Sequence, residues 1–474
     1  MDSRISSRAL ASALGGWRAR EPAYEALADG IRLLCLDNRL APRTTLPAER
    51  DLAAALGVSR ATVASAYRSL RDSAHIASHR GSGSVTLPLP RRTPARSGTH
   101  DGLMDLQQAS PAAWPGLAAA FLEAATDIPS LAARPGYDLI GMDALRAAVS
   151  EAYTARGVPT TVEQVMITAG AQSAIHLIAS VVVGRGDRVV METPTYPHAA
   201  DAFRQAGARL VGVPVTTDAG WDMDRLIQTF ERTAPVAAYL MPDFQNPTGR
   251  SMTPSDRAVT LDVARRAGTL LVLDETTADL DIDRGPVDPG FVEEDADLVV
   301  RVGSLGKTVW GGLRVGWIRA AVPVLRRLVA ARPARDLGTP EFEQAVAARV
   351  LSQYPEVTAQ RAELLRLGRD TVTAQITARL PQWRVPPVHG GVSLWVALDA
   401  PLSAALVMQA RAEGLLLSAG PRFSLDGGHE RHLRVPFTAD AITLARAVDV
   451  LAGAWERVVA GAPTTGHAAL DAVV

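Results

Sequence analysis

The stretch 303-GSLGKTVWGGLRVGW-317 carries Lys307, the only lysine among the 49 Lys and Arg residues of this 474-residue chain. Every other cation is a guanidinium, which stays protonated at neutral pH and cannot act as a nucleophile, whereas a primary amine condenses with an aldehyde. A lysine kept alone among arginines marks a place where the nitrogen itself must react; the alternative is one surface lysine left by drift. The neighbours favour reaction. Ser304 stands three residues before Lys307 and Arg314 seven after it. A hydroxyl and a fixed positive charge are what an aldehyde bearing a phosphate requires, and Gly311 and Gly312 let the backbone turn tightly around the group.

Upstream elements supply the rest of such a site. The run ITAGAQSAI reads as a strand entering a helix through Gly170, Ala171 and Gln172, and free N–H groups at a helix N-terminus bind phosphate. Asp274 ends the apolar run TLLVLD; a strand-end carboxylate pairs with a pyridine nitrogen and keeps it protonated, which makes the ring an electron sink. Around these residues QVMITAG, RVVMETP, RLVGVPV, VAAYLMP, TLLVLDE, LVVRVGS and VGWIRA alternate with amphipathic or turn segments. That alternation predicts an α/β domain on a large, mostly parallel sheet. GVSLWVAL, GLLLSAG and HLRVPFT, set between helices, predict a smaller C-terminal α/β lobe.

The front end has a different pattern. In LPAERDLAAALGVSRATVASAYRSLRDSAHIASHRGSGSV the apolar residues Leu52, Leu56, Val58, Val63, Tyr67 and Leu70 are spaced for two short helices sharing a core around a turn at Gly57. Ser59 is the expected N-cap of the second helix, which puts Arg60, Ala61 and Thr62 in the first turn that reaches base edges in helix-turn-helix docking. HIASHRGSGSV predicts a β-hairpin whose tip, Gly81 to Gly83 beside Arg80, approaches a phosphate closely. The alternative is a small three-helix domain with a solvated arginine face. Charge separates the two ends. Residues 1–100 hold 15 Arg against 8 Asp and Glu (+7), and the rest holds 34 cationic against 42 acidic residues (−8), so only the front end suits a polyanion.

Bulk properties exclude other classes. No apolar run approaches the roughly 18 residues of a membrane span, and the first residues lack the apolar core of a secretory signal. The single cysteine, Cys35, reads as a small buried helix residue and fits a reducing cytoplasm. No metal site is expected. The resulting division is 1–21 as an N-terminal extension, 22–86 as the DNA-binding domain, 87–103 as a Pro/Arg/Ser/Gly linker, 104–458 as the large and small lobes, and 459–474 as a tail.

Residues 22–86 resemble the winged helix of GntR-type bacterial regulators, and residues 104–458 resemble fold-type I pyridoxal-phosphate enzymes of the aminotransferase class I/II kind. The second resemblance rests on motifs in family order: ITAGAQ, ETPTYP, QNPTG, VLDETTADL, GSLGKTVWGGLRVGW and HLRVPF. The resemblance implies pyridoxal 5′-phosphate as cofactor and Lys307 as its Schiff-base lysine. It implies Ser304, Arg314, Gly170, Ala171 and Gln172 around the phosphate, Tyr196 against the ring, Asn246 on the ring hydroxyl, Asp274 on the pyridine nitrogen, and Arg434 for an α-carboxylate. GYDLIGMDALR implies that Tyr137 reaches the phosphate of a neighbouring subunit. In the front end the resemblance implies Arg50, Ser59, Arg60, Thr62, Arg80, Gly81 and Gly83 as the DNA-contacting set.

The chain departs from the aminotransferase pattern in two ways. Thr276 and Thr277 stand where a tyrosine usually donates to the ring hydroxyl, and Gly306 precedes the lysine where serine is common. The order winged helix, linker, aminotransferase-like domain resembles the MocR-type subgroup of GntR regulators. That implies a cytoplasmic homodimer on double-stranded DNA which senses an amine, an amino acid or the cofactor itself. A working aminotransferase with an accessory DNA-binding domain is the competing reading, and the missing tyrosine leaves full turnover open.

Overall fold

A computed structural model describes residues 3–18, 21–79, 83–88, 103–287, 290–291 and 296–461. The seven apolar runs all become strands of one eight-stranded sheet. Its order is Val165–Thr168, Gly316–Arg319, Val299–Ser304, Leu270–Asp274, Ala237–Leu240, Arg188–Thr193, Arg209–Thr216 and Gly220–Trp221. Pairing is parallel except for Gly316–Arg319 and the short edge strand Gly220–Trp221. The sheet is therefore mixed but mostly parallel, and the parallel majority is what its near-continuous apolar strands suggested: strands covered on both faces need no polar alternation.

Alternate residues of these strands feed separate cores. Met166, Val189, Met191, Tyr239, Val272, Val300 and Ile318 pack under helices Ala171–Val182, Pro197–Gln205 and Val322–Ala331. Val190, Ala238, Leu240, Leu271 and Leu273 pack with Leu226 and Phe230 of helix Met223–Thr233 on the other face. Burial on both faces fixes the register. Register in turn brings the carboxyl ends of the parallel strands to one edge, where open α/β sheets bind ligands.

The small lobe sets Ser393–Ala397, His432–Pro436 and Ser418–Ala419 in a three-stranded sheet against helices Tyr354–Arg379, Ser403–Ala412 and Ala441–Val459. Strand Met104–Asp105, just after the linker, pairs in parallel with Leu415–Leu416 of this lobe.

At the front, helices Ala23–Leu36, Glu49–Leu56 and Arg60–Asp72 precede a hairpin of Ile76–His79 and Gly83–Thr86. Gly57 ends the second helix in the left-handed region (φ 65°). Ser59 caps the third, its hydroxyl accepting from Thr62 N at 3.1 Å. This core extends past the boundary drawn at residue 22. Helix Ser7–Leu14 buries Leu10 and Leu14 in it together with Trp17, and Ser3–Arg4 adds a strand beside Thr44–Thr45.

The winged helix rests on the small lobe. Leu33 and Leu36 of its first long helix belong to the small-lobe core. Gly15 (φ 49°) lies so close to Asp426 and Gly427 that a Cβ there would sit 1.6 Å from the Asp426 carbonyl oxygen. Arg422 forms an ion pair with Asp37 at 3.9 Å. Among the described residues no helix is long and apolar enough to cross a membrane, and no cluster of three His, Cys, Asp or Glu side chains is placed to hold a metal ion.

Candidate functional site

Turns at the carboxyl ends of the strands carry the site. After Val299–Ser304 the chain turns at once, and Lys307 Nζ donates to the carbonyls of Gln108 (3.1 Å) and Ala109 (2.9 Å). Burial, with Arg434's charge adding to it, lowers the lysine to a pKa of about 8. Desolvation disfavours the ammonium, so an appreciable fraction of the nitrogen is a free amine near neutral pH.

Three elements converge beside it. Ser304 Oγ accepts from Gly306 N at 3.1 Å and donates to the Val315 carbonyl at 3.2 Å. Arg314, held in the left-handed region (φ 54°), donates from Nη2 to the Ala169 carbonyl at 2.6 Å. A Cβ on Gly170 (φ 85°) would meet that guanidinium at 3.0 Å, so glycine lets arginine lie against the N-terminus of helix Ala171–Val182. Gln172 donates to the His198 carbonyl at 3.1 Å and leaves its amide oxygen buried without a partner. A guanidinium, a hydroxyl and a helix N-terminus together form a cup for a dianion.

Asp274, 1% exposed at its strand end, accepts from Tyr239 Oη on the adjacent strand and from Thr276 N at 2.9 Å. Burial pushes its carboxyl upward while these bonds pull it back. Asn246 follows strand Ala237–Leu240, and its amide oxygen is buried with no partner. Tyr196 precedes helix Pro197–Gln205. Burial raises its phenol to about 12, with the charge of Asp274 adding to the rise and those of Arg434, Arg422 and Arg314 opposing it. Arg434, on strand His432–Pro436, is 6% exposed, stacks over Phe423 at 4.8 Å and donates to the Gln107 carbonyl. Burial lowers its pKa to about 10, which leaves it charged at neutral pH.

Lys307, Ser304, Arg314, Gly170, Ala171, Gln172, Asp274, Asn246 and Tyr196 thus stand at or just beyond strand ends along one edge of the large sheet, and Arg434 comes from the small-lobe sheet. Tyr137 does not join them: it is 75% exposed on the segment ahead of helix Asp143–Ala155. Thr277 does not replace the expected phenol, because its hydroxyl donates to the Asp243 carbonyl at 2.8 Å.

Five participants were not legible in the sequence. Tyr239 reads as one more apolar strand residue until register sets it beside Asp274. Phe423 lies in a short 3-10 turn, Gly420–Phe423, with no motif. Gln107 to Ala109 take part through backbone carbonyls, which no side-chain pattern reports.

On the winged helix, Arg50 and Arg60 have side chains 88% and 74% exposed, and Arg60 lies 3.5 Å from Glu49. The Ser59 and Thr62 hydroxyls bond each other at 2.9 Å and serve the cap. Gly83 (φ 86°) has open space where a side chain would be. Arg80 and Gly81 lie outside the described residues. Arg68 is exposed two turns beyond Arg60 on the same helix, and the i, i+4, i+8 spacing that puts it on that face was available in the sequence.

Comparison with known proteins matches both parts. Residues 117–451 match the family described as aminotransferase class I and II, and residues 23–85 match the bacterial regulatory proteins of the gntR family. A 2-aminoadipate transaminase of Thermus thermophilus is 31% identical over 295 residues, 60% of this chain and 73% of that protein. The HTH-type transcriptional regulator YisV of Bacillus subtilis is 24% identical over 428 residues, 83% of this chain and 88% of that protein. Among solved structures, the alpha-aminoadipate aminotransferase of T. thermophilus, complexed with N-(5′-phosphopyridoxyl)-L-leucine, is similar with a TM-score of 0.70. It is 28% identical, and the match covers 76% of this chain and 93% of that one.

Proposed function

The chain belongs to the aminotransferase class I and II family and carries a gntR-type winged helix in front, and on that premise we propose that it is a pyridoxal-phosphate-dependent, DNA-binding transcriptional regulator. Its aminotransferase-like site senses an amine, an amino acid or the cofactor itself. The observation that carries the reading is the single lysine, with a lowered pKa, held among a phosphate cup, a buried strand-end carboxylate and a buried arginine.

The residues fit the cofactor. The buried, unpartnered amide oxygens of Asn246 and Gln172 and the glycine cradle against Arg314 are features a dry apolar core would not keep. Bound there, pyridoxal 5′-phosphate supplies an aldehyde for a primary amine and a ring that withdraws electrons. Lys307 offers its nitrogen to that aldehyde. Arg314, Ser304 and the helix start at Gly170, Ala171 and Gln172 hold the phosphate. Asp274, steadied by Tyr239, keeps a proton on the ring nitrogen, Asn246 meets the ring hydroxyl and Tyr196 lies against the ring. Arg434 receives an effector carboxylate in the planar, bidentate manner of a guanidinium. Tyr137, exposed here, acts across a homodimer interface. Arg50, Ser59, Arg60, Thr62 and Gly83, with Arg80 and Gly81, face double-stranded DNA in the cytoplasm.

The test is absorbance. Purified wild type gains a visible band on addition of pyridoxal phosphate and Lys307→Ala does not; the same spectrum in both sinks the assignment of Lys307.

A working aminotransferase is the second reading, favoured by the complete ligand set around Lys307. It requires the band to disappear with an amino acid and return with a 2-oxo acid. Thr277, its hydroxyl bonded to Asp243, leaves no phenol to tune the ring hydroxyl, so the regulator reading expects no such cycle at an appreciable rate.

A further inference from the structure

Two cations of the site, Lys307 and Arg434, are tied to one short segment. Lys307 Nζ holds the carbonyls of Gln108 and Ala109, and Arg434 holds that of Gln107. On one side this segment is anchored to the small lobe. Met104 N donates to Gly414 O at 2.8 Å, Leu106 N to Leu416 O at 3.0 Å, and Gln107 Nε2 to Leu417 O at 3.1 Å. The chain just before it is the 87–103 connection to the winged helix. Residues 107–109 therefore follow closely on the first strand of the sensing domain, Met104–Asp105, and they are secured by the two groups that must change partners when the site fills.

We propose that residues 106–110 report the chemical state of Lys307 and Arg434 to the connection with the winged helix. The inference rests on the cofactor reading above. An ammonium has three N–H bonds. When Lys307 condenses with the cofactor's aldehyde, two of those hydrogens leave with the aldehyde oxygen as water and at most one remains. The nitrogen then cannot serve both Gln108 and Ala109, and at least one of their carbonyls is released. When an effector amine takes Lys307's place on that carbon, Lys307 leaves as an amine, takes a proton from solvent and again has donors for both carbonyls. An effector carboxylate on Arg434 displaces the neutral Gln107 carbonyl, since a charged acceptor outcompetes a neutral one. The segment is thus held while Lys307 is a free ammonium, loosened when Lys307 condenses with the cofactor, and held differently once an amino acid binds.

Amide hydrogen exchange of the full chain reads this at Leu106 and Gln107, whose N–H groups are bonded to Leu416 O at 3.0 Å and Asp105 Oδ1 at 2.9 Å. Wild type is compared with and without pyridoxal phosphate, its visible band recorded in parallel, and beside Lys307→Arg. That variant keeps N–H donors for the two carbonyls and cannot condense. Loading of wild type is expected to speed exchange about tenfold, the order of effect of losing a net hydrogen bond, while Lys307→Arg stays slow with or without the cofactor. A visible band with unchanged exchange overturns this inference alone, as does Lys307→Arg responding like wild type. No band and unchanged exchange in wild type remove the cofactor reading and this inference together.

Discussion

Burial strips water from Lys307 and Arg434 adds its charge, so the lysine loses its proton near pH 8 rather than at the ordinary lysine value of about 10.4. The reacting form is the neutral amine. Below about pH 8 its fraction falls about tenfold per pH unit, so the rate of pyridoxal-phosphate uptake should climb with pH and level off above 8. Growth of the visible band, followed from pH 6.5 to 9.5, checks this; a rate still climbing at the upper end would mean an ordinary, solvated lysine. Asp274 supplies a second residue-scale prediction. Tyr239 is one of its two donors, so Tyr239→Phe leaves a buried carboxylate short of a hydrogen bond and should cost about 1–3 kcal/mol, read as a shift in the denaturant midpoint of the large domain. Lys307, Asp274 and Arg434 were legible in the sequence because their chemistry is carried by side-chain type. Tyr239 was not, because its role comes from register with Leu270–Asp274 rather than from its own neighbours.

The third helix of the winged helix illustrates the next scale. Its start depends on Ser59, whose hydroxyl accepts from Thr62 N, so Ser59→Ala should destabilise the DNA-binding domain by about 1 kcal/mol. Arg60 and Arg68 share its outer face, and each Arg→Ala change should lower DNA affinity and reduce the slope of log affinity against log salt by about 1. Anisotropy titrations over a salt series measure both; an unchanged slope would place that arginine off the DNA. Elements were legible where burial imposes a pattern. All seven apolar runs are strands of one sheet, since strands covered on both faces read as near-continuous apolar runs. Gly220–Trp221 escaped notice because two residues carry no periodicity. Helix Ser7–Leu14 escaped because its buried face is only Leu10 and Leu14, so its place in the core is set by tertiary packing.

At the scale of the whole molecule, the basic front end and acidic body are joined by a seam as well as by a linker. Leu33 and Leu36 enter the small-lobe core and Asp37 meets Arg422, the neighbour of the Phe423 that underlies Arg434. Nothing in the sequence links these residues, because the seam depends on how two finished domains meet. A charge buried at Leu36 would oppose docking while leaving the winged-helix core intact. Leu36→Glu should therefore increase the radius of gyration in small-angle scattering without loss of helix content; an unchanged radius would mean that the seam does not hold the domains together. The central claim is that the state of the Lys307 site sets the affinity for DNA. Its most direct test is the dissociation constant for DNA from the gene's own upstream region, measured for wild type and Lys307→Ala, without pyridoxal phosphate, with it, and with added amino acids. The account predicts a change of roughly fivefold or more in wild type and none in Lys307→Ala. Identical affinities in wild type, with the visible band present to show that cofactor is bound, would contradict it.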